Sequence, residues 1–379
     1  MPSTTVNGRH ILKQHATGYP IPGTTTVYDT SERLDLDNVA LNGGVLAKLV
    51  ILSIDPYLLH SVSPGSPMEQ AAETCSSEAY GSDRINGMGI VKVVRSEDPA
   101  YKVGEYFTSS LSRARLTSSS DHQEYSVFSK EQLSSLQHLK PENGLPLSVY
   151  LGAAGAGARS RFIPSLFKMY QPCIPSGLTA FAGWEEFSNA KKGDTVFVST
   201  AAGAVGSIVV QLAQNQGLKI IGSAGSDDKV KYLKQLGVDV AFNYKTTDTR
   251  EALEKDGPVD IYWDNVGRDT LDAAVENATS GARVIICGAM SSYNGETTAG
   301  VKNLIHVTFK SIVLYGLSYF DIAHKHDAKF KETVIPKLAD GTFKYLEDRK
   351  FGLDKAPQAI LDVQNGANFG KSVIVVGDE

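Results

Sequence analysis

The chain has 379 residues, enough for two domains and at most three. With 42% hydrophobic and 21% charged residues, its composition excludes a disordered chain, a coiled coil and a collagen-like fibre. A net charge of −5 leaves no basic surplus to grip phosphate backbones, so no nucleic-acid partner is expected.

The opening MPSTTVNGRHILKQHATG has no apolar signal core. No run of about 18 apolar residues occurs, so no membrane span is expected. Cys75, Cys173 and Cys287 fit neither a zinc spacing nor an even-numbered disulfide framework. They suggest a reducing, cytoplasmic setting.

The first 145 residues are rich in β-branched and turn residues. VLAKLVILSI (45–54), GIVKVV (89–94) and, more weakly, residues 125–128 read as strands of a mostly β domain. From about residue 176 the pattern changes. Short apolar runs at 194–200, 218–224, 238–244, 259–267, 282–289 and 311–319 alternate with helical periods, including 268–280. Such alternation predicts βαβ units, and six strands complete a doubly wound parallel sheet of the α/β dinucleotide-binding class. Residues 325–350 read as helical and charged, and SVIVVG (372–377) as a strand free to return to the first domain.

The first βα turn reads Ala201-x-Gly203-x-x-Gly206, with alanine in place of the first glycine of G-x-G-x-x-G. Gly203 permits close backbone approach to a pyrophosphate, and Gly206 close packing of helix on strand. The helix N-terminus then favours the anion. A site for NAD usually has an acid at the end of the second strand. Ala224 stands there, followed by Gly225, Ser226, Asp227, Asp228 and Lys229. Without that acid a 2′-phosphate is not repelled. Ser226 and Lys229 then favour NADPH, although Ser226 also suits a helix N-cap and the two aspartates oppose a phosphate. Asn265 at the end of the fourth strand fits a ribose contact or an N-cap. Tyr293, after the fifth strand, lies where ligands bind in such sheets, or is an ordinary packed aromatic. No zinc-ligand cluster precedes the sheet and no Tyr-x-x-x-Lys follows the fourth strand, so hydride transfer without a metal is expected.

The stretches PSGLTAFAGWEEF, GDTVFVSTAAGAVGSIVVQLAQ and LKIIGSAGSDDKVKYLKQLGVDVAFNYKT resemble the zinc-independent medium-chain dehydrogenase/reductases. LSIDPYLL, WDNVG, ICGAMSSYN and GANFGKSVIVV extend the resemblance over most of the chain. It is strongest to the leukotriene B4 dehydrogenase/prostaglandin reductase and alkenal double-bond reductase group. This resemblance implies a GroES-like domain (1–150, joined by 325–379), a Rossmann domain (176–322), a homodimer and NADP(H). The implied reaction is reduction of the C=C bond of α,β-unsaturated aldehydes or ketones.

Carried over by motif, the cofactor contacts are Gly203, Ala204, Val205 and Gly206 for the pyrophosphate and Lys229 for the 2′-phosphate. Tyr244, Asn265, Asn368 and the run Cys287, Gly288, Ala289, Met290, Ser291, Ser292 and Tyr293 follow. Leu317, Ser318 and Tyr319 fall beside the nicotinamide. Tyr57 and Tyr293 are the candidate donors to a developing enolate oxygen, a phenol being protonated at pH 7. Alternative readings are a quinone reductase, a tailoring enoyl reductase of secondary metabolism, and a regulator that binds NADPH without turnover.

The chain departs from the family in three places. Asp55-Pro56-Tyr57-Leu58-Leu59 replaces DPYMR, the following loop is dissimilar, and residues 153–173 are inserted at the junction. The insertion reads as a lid or as sequence foreign to the fold.

Overall fold

The computed structural model describes residues 4–16, 18–61, 85, 87–110, 122–141, 144–155, 175–294 and 301–378. Within them the apolar runs of the second half form one parallel six-stranded sheet. Its spatial order is Val240–Asn243, Lys219–Ala224, Thr195–Val198, Val259–Asp264, Ala278–Ile286, Val313–Gly316. In chain order this is 3-2-1-4-5-6, the doubly wound arrangement whose ligands bind beyond the carboxyl ends of the strands. The strands are short and apolar because helices cover both faces. Helix Gly206–Asn215 buries Ile208, Val209 and Val210. Helix Ser176–Phe187 packs on helix Tyr319–Thr333, with the Phe181 and Phe330 rings 5.8 Å apart.

The other large sheet runs Glu347–Phe351, Lys371–Val375, Val45–Ser53, Met88–Ser96, Tyr106–Ser110, Leu136–Leu139, and Tyr125–Phe128 also pairs with Val45–Ser53. All its pairings are antiparallel except that of Glu347–Phe351 with Lys371–Val375. The last strand therefore does return to the first part of the chain, meeting Val45–Ser53. A single core joins the sheets: Val50, Ile51, Met88 and Ile90 from one, Val198, Trp263 and Ile285 from the other.

Two expectations need correction. The helix expected over 268–280 ends at Glu276, and the fifth strand begins at Ala278. The stretch 325–350 is helical only through Ala339; Glu347–Phe351 is a strand. Its sequence, EDRKF, has the charges of an edge strand, which pairs on one side only. In addition, helix Tyr319–Thr333 runs through the expected domain boundary near 322–325.

Residues 156–174, most of the expected insertion, and the loop 62–84 lie outside the described residues, as do Cys75 and Cys173. The flanks of 156–174 nevertheless meet. The Gly177 amide donates to the Gly152 carbonyl at 3.0 Å. A Cβ on Gly155 would stand 2.5 Å from Pro175 Cβ. The two ends are thus already joined through packing, so loop closure costs little. Replacing 156–174 by two glycines is expected to move the thermal midpoint by no more than about 2 °C, equivalent to about 1–2 kcal/mol in a chain of this length. Calorimetry checks this; loss of the folded transition would contradict it.

Candidate active site

A cleft of about 650 Å³ opens where the loops after the parallel strands face the ends of Val45–Ser53 and Lys371–Val375. The site sits at the topological switch point, between the outward windings from Thr195–Val198 and Val259–Asp264.

Gly203, Ala204, Val205 and Gly206 line the cleft. A Cβ on Gly206 would fall 2.6 Å from the Thr200 carbonyl oxygen and 2.8 Å from Ala201 Cα. Only glycine lets the helix start this close to the strand. The helix has no side-chain cap and no acid in its first turn. The Ser207 and Ile208 amides turn back onto the Gly203 and Val205 carbonyls, but no side chain competes for the positive end of the dipole, which favours an anion such as a pyrophosphate.

Lys229 and Tyr244 also line the cleft, with Lys245 beside them. Lys229 Nζ donates to the Gly366 carbonyl at 2.6 Å, bridging the second βα turn to the GANFGK loop. Burial lowers the Lys229 pKa, and Lys245 lowers it further. Asp348 acts in the opposite direction and raises it. Burial raises the Tyr244 pKa. Its hydroxyl would lie 2.8 Å from a Cβ on Gly225, so glycine is needed there to admit the phenol. Ser226 does not line the cleft. It caps helix Asp227–Gln235, its Oγ accepting from the Lys229 amide at 3.4 Å. The two aspartates point to other partners: Asp227 accepts from Asn243 at 2.9 Å and Asp228 pairs with Lys231.

Asn265 is buried and lines the cleft. Its Nδ2 donates to the Ser199 carbonyl at 2.7 Å, and its Oδ1 accepts from Trp263 at 3.3 Å. It is not an N-cap. The turn into helix Arg268–Glu276 is held by Asp264, whose Oδ1 accepts from the amides of Val266 and Gly267 and from the Tyr262 hydroxyl. Burial raises the Asp264 pKa against those hydrogen bonds. Cys287, Gly288, Met290, Ser291 and Tyr293 line the cleft; Ala289 and Ser292 do not. Burial, with a smaller push from Asp264, raises the Cys287 thiol to about 12, so it is a neutral wall and not a nucleophile. Burial also raises the Tyr293 phenol. Leu317, Tyr319 and Asn368 line the cleft. Ser318 instead stands at the N-cap of helix Tyr319–Thr333.

Tyr57 reaches the same cleft from the turn Pro56–Ser61, after Val45–Ser53. Beside it are residues that sequence reasoning missed. Lys371 forms a buried ion pair with Asp55, its Nζ also donating to the Ile54 carbonyl at 3.3 Å, and Ser53 Oγ donates to the same carboxylate. Tyr19, Gln364 and Gly366 line the cleft as well. Lys371 lies inside the quoted GANFGKSVIVV run, from which only Asn368 was singled out. Tyr19 and Gln364 carry no motif.

Among the described residues, no group of three or more His, Cys, Asp or Glu is placed to hold a metal ion, and no helix is long and apolar enough to cross a membrane.

Residues 204–340 match the family model described as zinc-binding dehydrogenase. The chain is similar to the 2-alkenal reductase (NADP(+)-dependent) of Nicotiana tabacum, at 34% identity with 98% of each chain covered. It is similar to (+)-pulegone reductase of Mentha piperita, at 34% identity with 89% of each covered. Among solved structures, CurA from Vibrio vulnificus in complex with NADPH superposes with a TM-score of 0.78 at 26% identity, covering 98% of this chain and all of that one.

Proposed function

The chain belongs to the alkenal and prostaglandin reductase group of the medium-chain dehydrogenase/reductases, and we propose that its cleft reduces the C=C bond of α,β-unsaturated aldehydes and ketones with NADPH. The observation that carries this reading is the convergence of four features on one cleft: the uncapped glycine turn, Lys229, Tyr57 and Tyr293.

The residues present fit NADPH. Gly203 to Gly206 hold the pyrophosphate, and Lys229 with Tyr244 holds the 2′-phosphate. Asn265 and the Cys287–Tyr293 loop hold the nicotinamide ribose end, with Leu317, Tyr319 and Asn368 completing the walls. The chemistry the cofactor supplies is a hydride for the β-carbon. As charge builds on the carbonyl oxygen, Tyr57 and Tyr293 donate hydrogen bonds to it. Tyr293, its pKa raised by burial, keeps its proton and needs no activation to donate. The α-carbon then takes a proton from solvent. The test is NADPH oxidation against enals, enones and quinones, with products identified by mass spectrometry. A saturated carbonyl compound supports the reading; quinol alone overturns it.

Lys229→Ala tests the choice of cofactor. A hydrogen bond to a charged group contributes about 1.5–3 kcal/mol, so NADPH should bind about tenfold or more weakly. NADH should bind nearly as before. Fluorescence titration of both cofactors decides, and equal losses would contradict the 2′-phosphate assignment.

The same reading divides the chain into a GroES-like unit, 1–150 joined by 325–379, and a Rossmann unit, 176–322; the separation of the antiparallel-rich and parallel sheets supports it. A homodimer is supported by the edge strand Val313–Gly316, whose outer side pairs with no strand among the described residues. Val313 and Leu314 on that strand are exposed, as are Ile305 and Phe309 on the helix before it, Phe309 at 79%. Pairing two such edges covers both the open backbone groups and these side chains. Leu314→Lys with Phe309→Lys is expected to yield monomers in light scattering; an unchanged mass would place the interface elsewhere. The free thiol Cys287 in the cleft wall suits a reducing, cytoplasmic compartment.

A further inference from the structure

We propose that Gln364 is a positioning residue that holds the two tyrosine-bearing loops at a fixed separation. The inference rests on the reading of Tyr57 and Tyr293 as donors to the substrate carbonyl.

Gln364 ends helix Ala356–Gln364, is buried, and lines the cleft. Its Nε2 donates to the Pro56 carbonyl at 2.8 Å. Its Oε1 accepts from Asn294 Nδ2 at 2.9 Å. Pro56 immediately precedes Tyr57, and Asn294 immediately follows Tyr293. One amide therefore ties together two loops that come from opposite parts of the chain, each at the residue adjoining a candidate donor.

The chemistry of the three groups makes the amide specific. Pro56 has no N–H and presents only a carbonyl, which requires a donor. The Asn294 amide nitrogen requires an acceptor. A side chain with a donor and an acceptor at one end meets both needs, and no aliphatic residue of that length does. The surroundings are already matched elsewhere: Asp55 with Lys371, and Asp362 of the same helix with Lys350. Neither pair competes for the Gln364 amide. Two hydrogen-bond donors must reach one developing oxyanion, and misplacement by about 1 Å costs roughly 10²-fold in rate. A rigid spacer between them is thus worth rate and not affinity.

The test is Gln364→Glu in the full chain, which keeps size and shape. As a carboxylate, Glu accepts from Asn294 but sets an oxygen against the Pro56 carbonyl. As a carboxylic acid it donates to Pro56 and still accepts from Asn294. Burial beside a carbonyl favours the acid form as pH falls. At pH 8, kcat is expected to fall about tenfold or more, with NADPH affinity within about twofold of the parent. The ratio of variant to parent kcat should climb by about fivefold or more on going to pH 5.5, a rescue that lost stability would not produce. Gln364→Leu should show the loss without the rescue. Asn294→Leu, which leaves the helix intact, should lose kcat to a similar degree. Parent-like kcat in Gln364→Leu, or the same flat loss in Gln364→Glu and Gln364→Leu, would overturn the proposal. If Tyr57→Phe and Tyr293→Phe retain full kcat, the donor reading itself fails. If those two lose activity while Gln364→Leu does not, only the positioning role fails.

Discussion

Tyr57→Phe and Tyr293→Phe are each expected to lower kcat by about 10²–10³-fold, the usual cost of removing one preorganised donor to a developing oxyanion. Phenylalanine keeps the ring, and both rings pack against the same core cluster as Leu52, Ile54 and Leu58. The change therefore removes a hydroxyl and leaves the fold. For Tyr57→Phe, NADPH affinity should stay within about twofold, because the loss is confined to the transition state. The double variant should lose less than the product of the single losses, since both hydroxyls serve one oxygen. Stopped-flow measurement of NADPH oxidation with an enone checks all three points. A single variant with parent-like kcat would remove that tyrosine from the reaction.

The second large effect is on stability. Lys371→Met is expected to destabilise the protein by about 3–5 kcal/mol, because it takes the cation from the buried Asp55 carboxylate and leaves it the Ser53 hydroxyl. Lys371 belongs to the strand that joins the C-terminus to Val45–Ser53, and Asp55 leads into the turn that carries Tyr57. The loss should therefore appear both in the urea midpoint and in kcat. Removing the charge as well, in Asp55→Asn with Lys371→Met, should recover most of the midpoint. A single variant as stable as the parent would show that the pair is not a structural tie.

The legibility of the site in the sequence followed the range of the interactions. Gly203 and Gly206 in the first βα turn, and the absence of an acid at Ala224 before the second, are local features; they pointed to a pyrophosphate and a 2′-phosphate, and all three residues line the cleft. Ser226 was harder, because a hydroxyl that caps a helix and one that binds a phosphate occupy the same position; the cap is what the structure shows. Asn265 went the other way: its amide is engaged with Ser199 and Trp263, and Asp264 performs the turn-holding that an N-cap would. The roles of Lys371 and Gln364 were not legible for a simpler reason. Their partners lie 316 and 308 residues away, a separation no local pattern encodes. The strand Glu347–Phe351 was misread because its charges belong to an edge, where the alternation of a buried strand does not apply. The six parallel strands were legible because continuous apolar runs between helical periods have few other readings.

The central claim is that the hydride reaches the β-carbon of a conjugated carbonyl. The most direct measurement is the position of deuterium in the product after turnover of an enone with NADPH deuterated at C4 of the nicotinamide, read by NMR and mass spectrometry. Hydride delivery to the β-carbon gives a saturated ketone with one deuterium on that carbon. An allylic alcohol with deuterium on the former carbonyl carbon would contradict it.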